Sequence, residues 1–373
     1  MKSINIMIKP ASSACNMRCK YCFYEDVANA RTCKNVGRMQ KTTVDAMLAN
    51  LEADLSSGDH VSFVFQGGEP TLAGLEYFKY FVSVTARWKG IKTAYALQTN
   101  GILLDDAWCA FLKENNFLVG ISCDLLPEMH NATRIDAAGE GTYKQVTNAI
   151  ARLKKHKVEF NVLCTLTNFV ARHPGKVWNQ LVKLGIDYVQ FTPCIGFMEE
   201  FSDYALTPKR FAEFYIDLFG YWYKDYSKGS YRSVKLFDDV VNQLILKSPT
   251  GCGLDGKCRA QLVVEGDGSV YPCDFYCVDE YKLGNLAEQR LCDILSSPVI
   301  DAFVHRAPLS LPALCEACPY KGFCGGNCKR MRKEICIDAS GDFCGYKAFL
   351  EKCGPTLSAL ANQQRMHMNR RRG

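Results

Sequence analysis

Short apolar runs alternate with amphipathic stretches along the first half of the chain. Residues 4–8 are apolar and β-branched and stop at Lys9-Pro10, which predicts a strand. Val44, Met47, Leu48 and Leu51 share one face of a helix predicted over 39–54. The pattern then repeats. Strands are predicted at 61–65, 93–97, 117–123, 159–165 and 188–192, and helices at 75–88, 105–115, 143–155 and 175–184. Strands alternating with helices at this spacing predict parallel βαβ units. Six such units fall short of the eight that close a full barrel. The expected fold is α/β: an open, partial (β/α)6 barrel over residues 1–235.

Past residue 200 the pattern changes. An aromatic-rich amphipathic helix is predicted at 208–226, with Phe211, Phe214, Tyr215, Phe219 and Trp222 facing the core rather than a ligand. A second helix follows at 234–246. Two apolar runs then flank Gly266-Asp267-Gly268, a hairpin signal. Residues 236–373 are expected to form a second, cysteine-rich domain with a β-hairpin and C-terminal helices.

Composition narrows the class. The chain has 373 residues, 48% hydrophobic, enough for a large core. Its net charge of +6 is mild, and the one tight cluster, Arg370-Arg371-Arg372, reads as a solvated terminus, so no nucleic acid partner is expected. No stretch approaches eighteen apolar residues, so no membrane span is expected. Cysteine is the anomaly, at 20 residues. The opening Met1-Lys2-Ser3-Ile4 does not read as a signal peptide, so a cytoplasmic, reducing compartment is expected, where many thiols point to metal or catalysis rather than disulfides.

The sharpest motif is Cys15-Asn16-Met17-Arg18-Cys19-Lys20-Tyr21-Cys22, a C-x3-C-x2-C loop directly after the first strand. Three thiolates hold three irons of a four-iron cluster and leave the fourth open to a small molecule, whereas an electron-transfer cluster has four cysteines. Zinc sites pair such a motif with a second pair of ligands, and none closes this loop nearby. Gly67-Gly68-Glu69-Pro70 follows the second strand, Gln98-Thr99-Asn100-Gly101 the third and Asp124 the fourth. All therefore fall at the carboxyl ends of strands, where parallel α/β folds place their sites. Two glycines admit close backbone approach to a ligand, and the Glu69 carboxylate suits a cationic amine.

The cysteine loop and the Gly-Gly-Glu-Pro run resemble those of the radical S-adenosylmethionine (SAM) enzymes. That resemblance implies SAM as cofactor, with Gly67, Gly68 and Glu69 at its amine, Tyr21 at the adenine through its backbone, Ser122 and Arg134 at the ribose and carboxylate end, and Ile195 packed on the adenine. Farther on, Cys252, Cys258 and Cys273 are followed by Cys315-x2-Cys318-x5-Cys324-x3-Cys328 and then Cys336 and Cys344. This spacing resembles the SPASM domain, which carries two auxiliary four-iron clusters. Carried over, Cys252, Cys258, Cys273 and Cys328 hold the first, and Cys315, Cys318, Cys324 and Cys344 the second, with Cys336 as a rival to Cys344. A pair of zinc ribbons is the alternative, although such ribbons use paired C-x2-C knuckles.

Over its full length, including residues 9–13, 65–72 and 271–276, the chain resembles the anaerobic sulfatase-maturating enzymes. The resemblance implies three four-iron clusters and a sulfatase peptide whose cysteine or serine becomes Cα-formylglycine. It further implies an electron donor such as flavodoxin or ferredoxin, Asp274 as proton acceptor, and Tyr24, Gln66, Gln98 and Asn100 lining the peptide. Desolvation near a cluster would strengthen Asp274 as a base. One departure stands out. The family reads Ser-x-Asp-Gly-Pro where this chain has Ser122-Cys123-Asp124-Leu125-Leu126-Pro127, and Leu125 is not expected to take the positive φ of a glycine. Two further readings stay open: a SPASM maturase that crosslinks, epimerises or thioether-bridges another peptide, and an iron–sulfur electron carrier.

Overall fold

The computed structural model describes residues 1–196, 202–305 and 311–370; Arg371 and Arg372 of the basic tail lie outside the described residues. The strands, in chain order, are β1 (Ser3–Ile8), β2 (His60–Phe65), β3 (Lys92–Thr99), β4 (Leu118–Ser122), β5 (Phe160–Leu166), β6 (Tyr188–Pro193), β7 (Ser233–Val234), β8 (Leu262–Val264), β9 (Ser269–Tyr271) and β10 (Gly284–Asn285). Packing divides the chain into two compact units. The first comprises Met1–Cys123, His130–Asn161 and Ala260–Arg306; the second comprises Asp124–Met129, Val162–Arg259 and Ala307–Gly373. This division cuts across a sequential boundary at residue 235, because the hairpin segment packs with the beginning of the chain.

In the first unit β1, β2, β3 and β4 run parallel in that order. The alternation that predicted β2 is realised. Val61, Phe63 and Phe65 are fully buried, while the residues between them are half-covered. Phe63 and Phe65 meet Phe81 of helix Leu75–Thr85 edge-on, at centroid separations of 4.9 and 5.0 Å. The hairpin forms as expected, with Val263 opposite Tyr271 and the turn at 265–268. Its strand β8 also pairs parallel with β1, Ile8 beside Val264. No local pattern announced that long-range pairing, and it carries Glu265 and Asp274 into the first unit.

In the second unit β5 and β6 run parallel, and β7 extends them. Helix Pro208–Tyr226 starts where Thr207 accepts the backbone N–H of Arg210 and Pro208 supplies a fixed φ. Its Phe211, Phe214, Tyr215, Phe219 and Trp222 are buried, as expected of core packing. Short helices such as Phe23–Asn29 and Pro127–Thr133 escaped sequence reading, because seven residues are too few to display a period.

The expectation about Leu125 is overturned. Its φ is +65°, so leucine itself occupies a left-handed turn, at the position where the resembling family reads glycine. The strain is about 1–2 kcal/mol. Full burial of the side chain contributes a comparable amount in the other direction. Asp124, which precedes it, fixes the turn by accepting the backbone N–H of Thr165 at 3.1 Å.

Candidate active site and iron–sulfur centres

The cysteine loop is docked on the loop that follows β2. Backbone N–H groups of Gly68 and Glu69 donate to the carbonyls of Ser12 (2.9 Å) and Ala14 (2.8 Å). A Cβ on Gly68 would lie 2.2 Å from the Ala14 carbonyl oxygen. The glycine pair thus serves the approach of the loop that bears Cys15, rather than only the approach of a ligand. On the opposite side, Arg18 and Lys20 N–H groups donate to the carbonyls of Ile135 and Thr133. Between those acceptors, Arg134 lies over the Tyr21 ring at 5.4 Å and reaches the Cys19 sulfur at 4.0 Å. Burial pushes the Cys15 thiol up to about 11, against the Met17 N–H, which pulls it down; loading iron on this loop therefore releases protons.

Glu69 is 1% exposed, and its carboxylate ties its own loop to the end of β3. Its Oε1 accepts from the Thr71 N–H (3.0 Å), the Thr71 hydroxyl (2.6 Å) and the Thr99 hydroxyl (2.7 Å), and its Oε2 accepts the Asn100 N–H (2.8 Å). Burial raises its carboxyl, and the hydrogen bonds from Thr71, Asn100 and Thr99 oppose that shift. The spare acceptor capacity that remains for a ligand amine is on Oε2. Asn100 itself turns its side-chain amide to Asn16 at 2.8 Å, beside Cys15. Gln98 donates to the Ser122 hydroxyl at 3.0 Å, which links a residue expected at the peptide to one expected at the ribose. Ile195 is 8% exposed, two residues past the end of β6 in the second unit.

Asp274 follows the hairpin and is 9% exposed. Its Oδ2 accepts from Gln66 at 2.8 Å, and its Oδ1 lies 2.6 Å from the Lys9 ammonium. Lys9 is 0% exposed. Its ammonium also stands 3.4 Å from Cys277 Sγ, 3.8 Å from Glu265 Oε1 and 3.6 Å from the centre of the Tyr24 ring. Arg31 pairs with Glu265 at 2.8 Å, and the Tyr24 hydroxyl donates to the same carboxylate. Two cations thus meet two carboxylates in a buried cluster, and their charges balance. Burial pulls the Lys9 ammonium down, while the charge of Asp274, then those of Cys277, Tyr24 and Glu265, raise it by more, so its pKa ends well above the usual lysine value. Sequence reading took Lys9 only as the end of a strand and did not find Arg31 or Glu265. The available signal was a lysine at the mouth of an otherwise apolar strand, where a charge needs a buried partner.

In the second unit Cys315, Cys318, Cys324, Cys336 and Cys344 line one cavity, together with Tyr346. An isolated bridge between Ile337 and Cys344 sets Cys336 next to Cys344, so the geometry brings both candidate ligands to the same place. Cys252 and Cys258 lie near Cys328; Gly253 packs so tightly on Cys328 that a Cβ there would be 2.7 Å from the Cys328 Cβ. Cys273 belongs to the first unit, at the end of the hairpin. Among the described residues no three His, Cys, Asp or Glu side chains converge on a single ion. A four-iron cluster asks for something else, one thiolate on each of four separated irons around a cavity. The cysteine nest in the second unit has that form, and a buried Tyr346 hydroxyl in its wall has no hydrogen-bond partner among the described residues, so the residues fit the group.

The model of the radical SAM superfamily matches residues 10–174. That of the SPASM iron–sulfur cluster-binding domain matches residues 256–319. The fold and the cysteine loop therefore define a radical SAM enzyme with a SPASM domain. The cysteine-type anaerobic sulfatase-maturating enzyme of Clostridium perfringens is 38% identical over 370 residues, 97% of this chain and 99% of the relative. The serine-type enzyme of Klebsiella aerogenes is 30% identical over 359 residues, 94% of this chain and 85% of the relative. A solved structure described as native anSMEcpe with bound AdoMet and Cp18Cys peptide matches with a TM-score of 0.88 and 36% identity, covering 97% of this chain and 99% of that one. This chain belongs to the anaerobic sulfatase-maturating enzymes. It is a radical SAM oxidoreductase of formylglycine formation that uses SAM and four-iron clusters. No described helix is long and apolar enough to cross a membrane.

Proposed function

We propose that this chain oxidises a cysteine, in preference to a serine, of a sulfatase-type peptide to Cα-formylglycine, with Asp274 as the proton acceptor. The observation that carries the assignment of the base is the fixed carboxylate: Lys9 on one oxygen, Gln66 on the other, near the carboxyl ends of β1 and β2. Cys15, Cys19 and Cys22 would hold the cluster on which bound SAM supplies a radical able to remove the β-hydrogen. Loss of that hydrogen, the thiol proton and one electron, for which an auxiliary cluster would be the acceptor, leaves a thioaldehyde that water hydrolyses to formylglycine with release of hydrogen sulfide. The chain supplies placement. The Gly68 and Glu69 backbone holds the cysteine loop, and Arg134 stands beside it with a guanidinium suited to the carboxylate of SAM. Gln66 and Lys9 hold the Asp274 carboxylate in one orientation by direct contact, so it can take the thiol proton as the hydrogen is lost. Cys252, Cys258, Cys273 and Cys328 are assigned to the first auxiliary cluster, and Cys315, Cys318, Cys324 and Cys344 to the second. A cytoplasmic enzyme fed by flavodoxin or ferredoxin suits thiols and clusters that need a reducing compartment.

Preference for cysteine is supported by the higher identity to the cysteine-type relative, 38% against 30%. Two otherwise identical peptides, one with Cys and one with Ser ahead of x-Pro-x-Arg, test it. The cysteine peptide is expected to be converted at least about tenfold faster, a transition-state difference of about 1.4 kcal/mol. Equal rates, or faster conversion of serine, would contradict the assignment.

A further inference from the structure

Beside the second unit's cysteine nest are two buried polar side chains, Arg332 and Tyr346, each with an atom for which no described residue is a hydrogen-bond partner. Arg332 is 4% exposed. Its Nε donates to the Gly326 carbonyl at 2.7 Å and one terminal nitrogen to the Asn327 carbonyl at 3.3 Å, while the other terminal nitrogen has no hydrogen-bond partner among the described residues. Among the described residues no carboxylate pairs with it. A guanidinium does not shed its proton. A buried cation without a counter-ion costs several kcal/mol. Arg332 is anchored on the 324–328 segment that bears Cys324 and Cys328, through its side-chain bonds to the Gly326 and Asn327 carbonyls, and its own backbone N–H donates to the Cys328 carbonyl. Tyr346 is 2% exposed, two residues past Cys344, and lines the cavity with the cysteines. Its hydroxyl also lacks a partner among the described residues. Buried phenols nearly always find one. An unmade hydrogen bond of this kind costs about 1–3 kcal/mol.

We propose that Arg332 and Tyr346 form the polar shell of the four-iron cluster held by Cys315, Cys318, Cys324 and Cys344, Arg332 as its buried counter-charge and Tyr346 as a hydrogen-bond donor to its sulfur. The inference rests on the assignment of those cysteines. A cluster with four thiolates is a net anion, and it gains a further negative charge on reduction. A fixed cation and an O–H donor stabilise the reduced form more than the oxidised form, and so raise the reduction potential. The two residues thereby make this cluster the better electron acceptor. Neither touches substrate; both are positioning groups for electron flow.

The test is a redox titration of the reconstituted full-length enzyme, followed by electron paramagnetic resonance, with iron and sulfide counted in each variant. Cys318→Ala identifies the signal of this cluster by removing it. If Cys318→Ala instead retains all iron and every signal, the cysteine assignment fails, and the inference fails with it. With that signal known, Tyr346→Phe, which removes one oxygen and keeps the ring, is expected to retain full iron while this one midpoint moves to a more negative potential. Arg332→Gln is expected to move it in the same direction, and supplies the second reading if either variant loads iron poorly. Both variants fully loaded with all midpoints unchanged would overturn the proposal while leaving the cysteine assignment intact. A purely structural role for Tyr346 would lower the melting temperature without moving the midpoint.

Discussion

Gly68→Ala is expected to abolish SAM cleavage and to cost the protein the iron of one cluster, that of Cys15, Cys19 and Cys22. The added methyl would stand 2.2 Å from the Ala14 carbonyl oxygen and 2.7 Å from its carbon. Both are rigid backbone atoms, so the cysteine loop must move as a piece. That movement breaks the hydrogen bonds from Gly68 to Ser12 and from Glu69 to Ala14. Displacing three ligands by an ångström is enough to spoil a site that depends on fixed geometry. The nest of cysteines in the second unit lies outside this contact, so its iron is expected to stay. Iron analysis and the yield of 5′-deoxyadenosine check this directly. Full iron with normal SAM cleavage would show that the loop does not depend on the glycine contact.

Lys9→Met is expected to lose about 3–5 kcal/mol of stability, because it leaves one buried cation, Arg31, to answer two buried carboxylates. Methionine fills nearly the same volume, so the loss is electrostatic rather than a cavity effect. The consequence for chemistry is separate. Without the ammonium at 2.6 Å, the Asp274 carboxylate keeps only the Gln66 amide to orient it. Peptide oxidation is therefore expected to fall further than SAM cleavage does. Thermal unfolding and the ratio of formylglycine to 5′-deoxyadenosine measure the two effects. A melting temperature and a ratio both equal to those of the wild type would remove Lys9 from the account.

The sequence carried the β-α alternation well because each strand buries alternate residues and each helix one face; helices over 143–155 and 208–226 begin and end where their patterns do. Local chemistry also marked the cysteine loop and the hairpin. Sequence reading missed what depends on distant chain segments meeting. Lys9 and Asp274 are separated by most of the chain and are joined because β8 adds to β1 beside Ile8. No period or spacing encodes that pairing. Glu69 illustrates a different limit. Its motif was visible, but its commitment to Thr99 and Asn100 became apparent only when the loops after β2 and β3 were placed together. At Leu125 a steric rule was applied correctly and still gave the wrong outcome, because full burial of the leucine offsets the strain of a left-handed turn.

The central claim is that a single fixed carboxylate takes the substrate proton. Its most direct measurement uses anaerobically reconstituted enzyme, SAM, a reductant and a cysteine-containing sulfatase-type peptide, comparing wild type with Asp274→Asn by mass spectrometry. The amide keeps the shape and the contact with Gln66 can be remade by flipping, but it cannot accept the proton. Formylglycine formation is expected to fall by about 10²–10⁴-fold, while 5′-deoxyadenosine is still produced and iron content is unchanged. Formylglycine at the wild-type rate from Asp274→Asn would contradict the account and require another base.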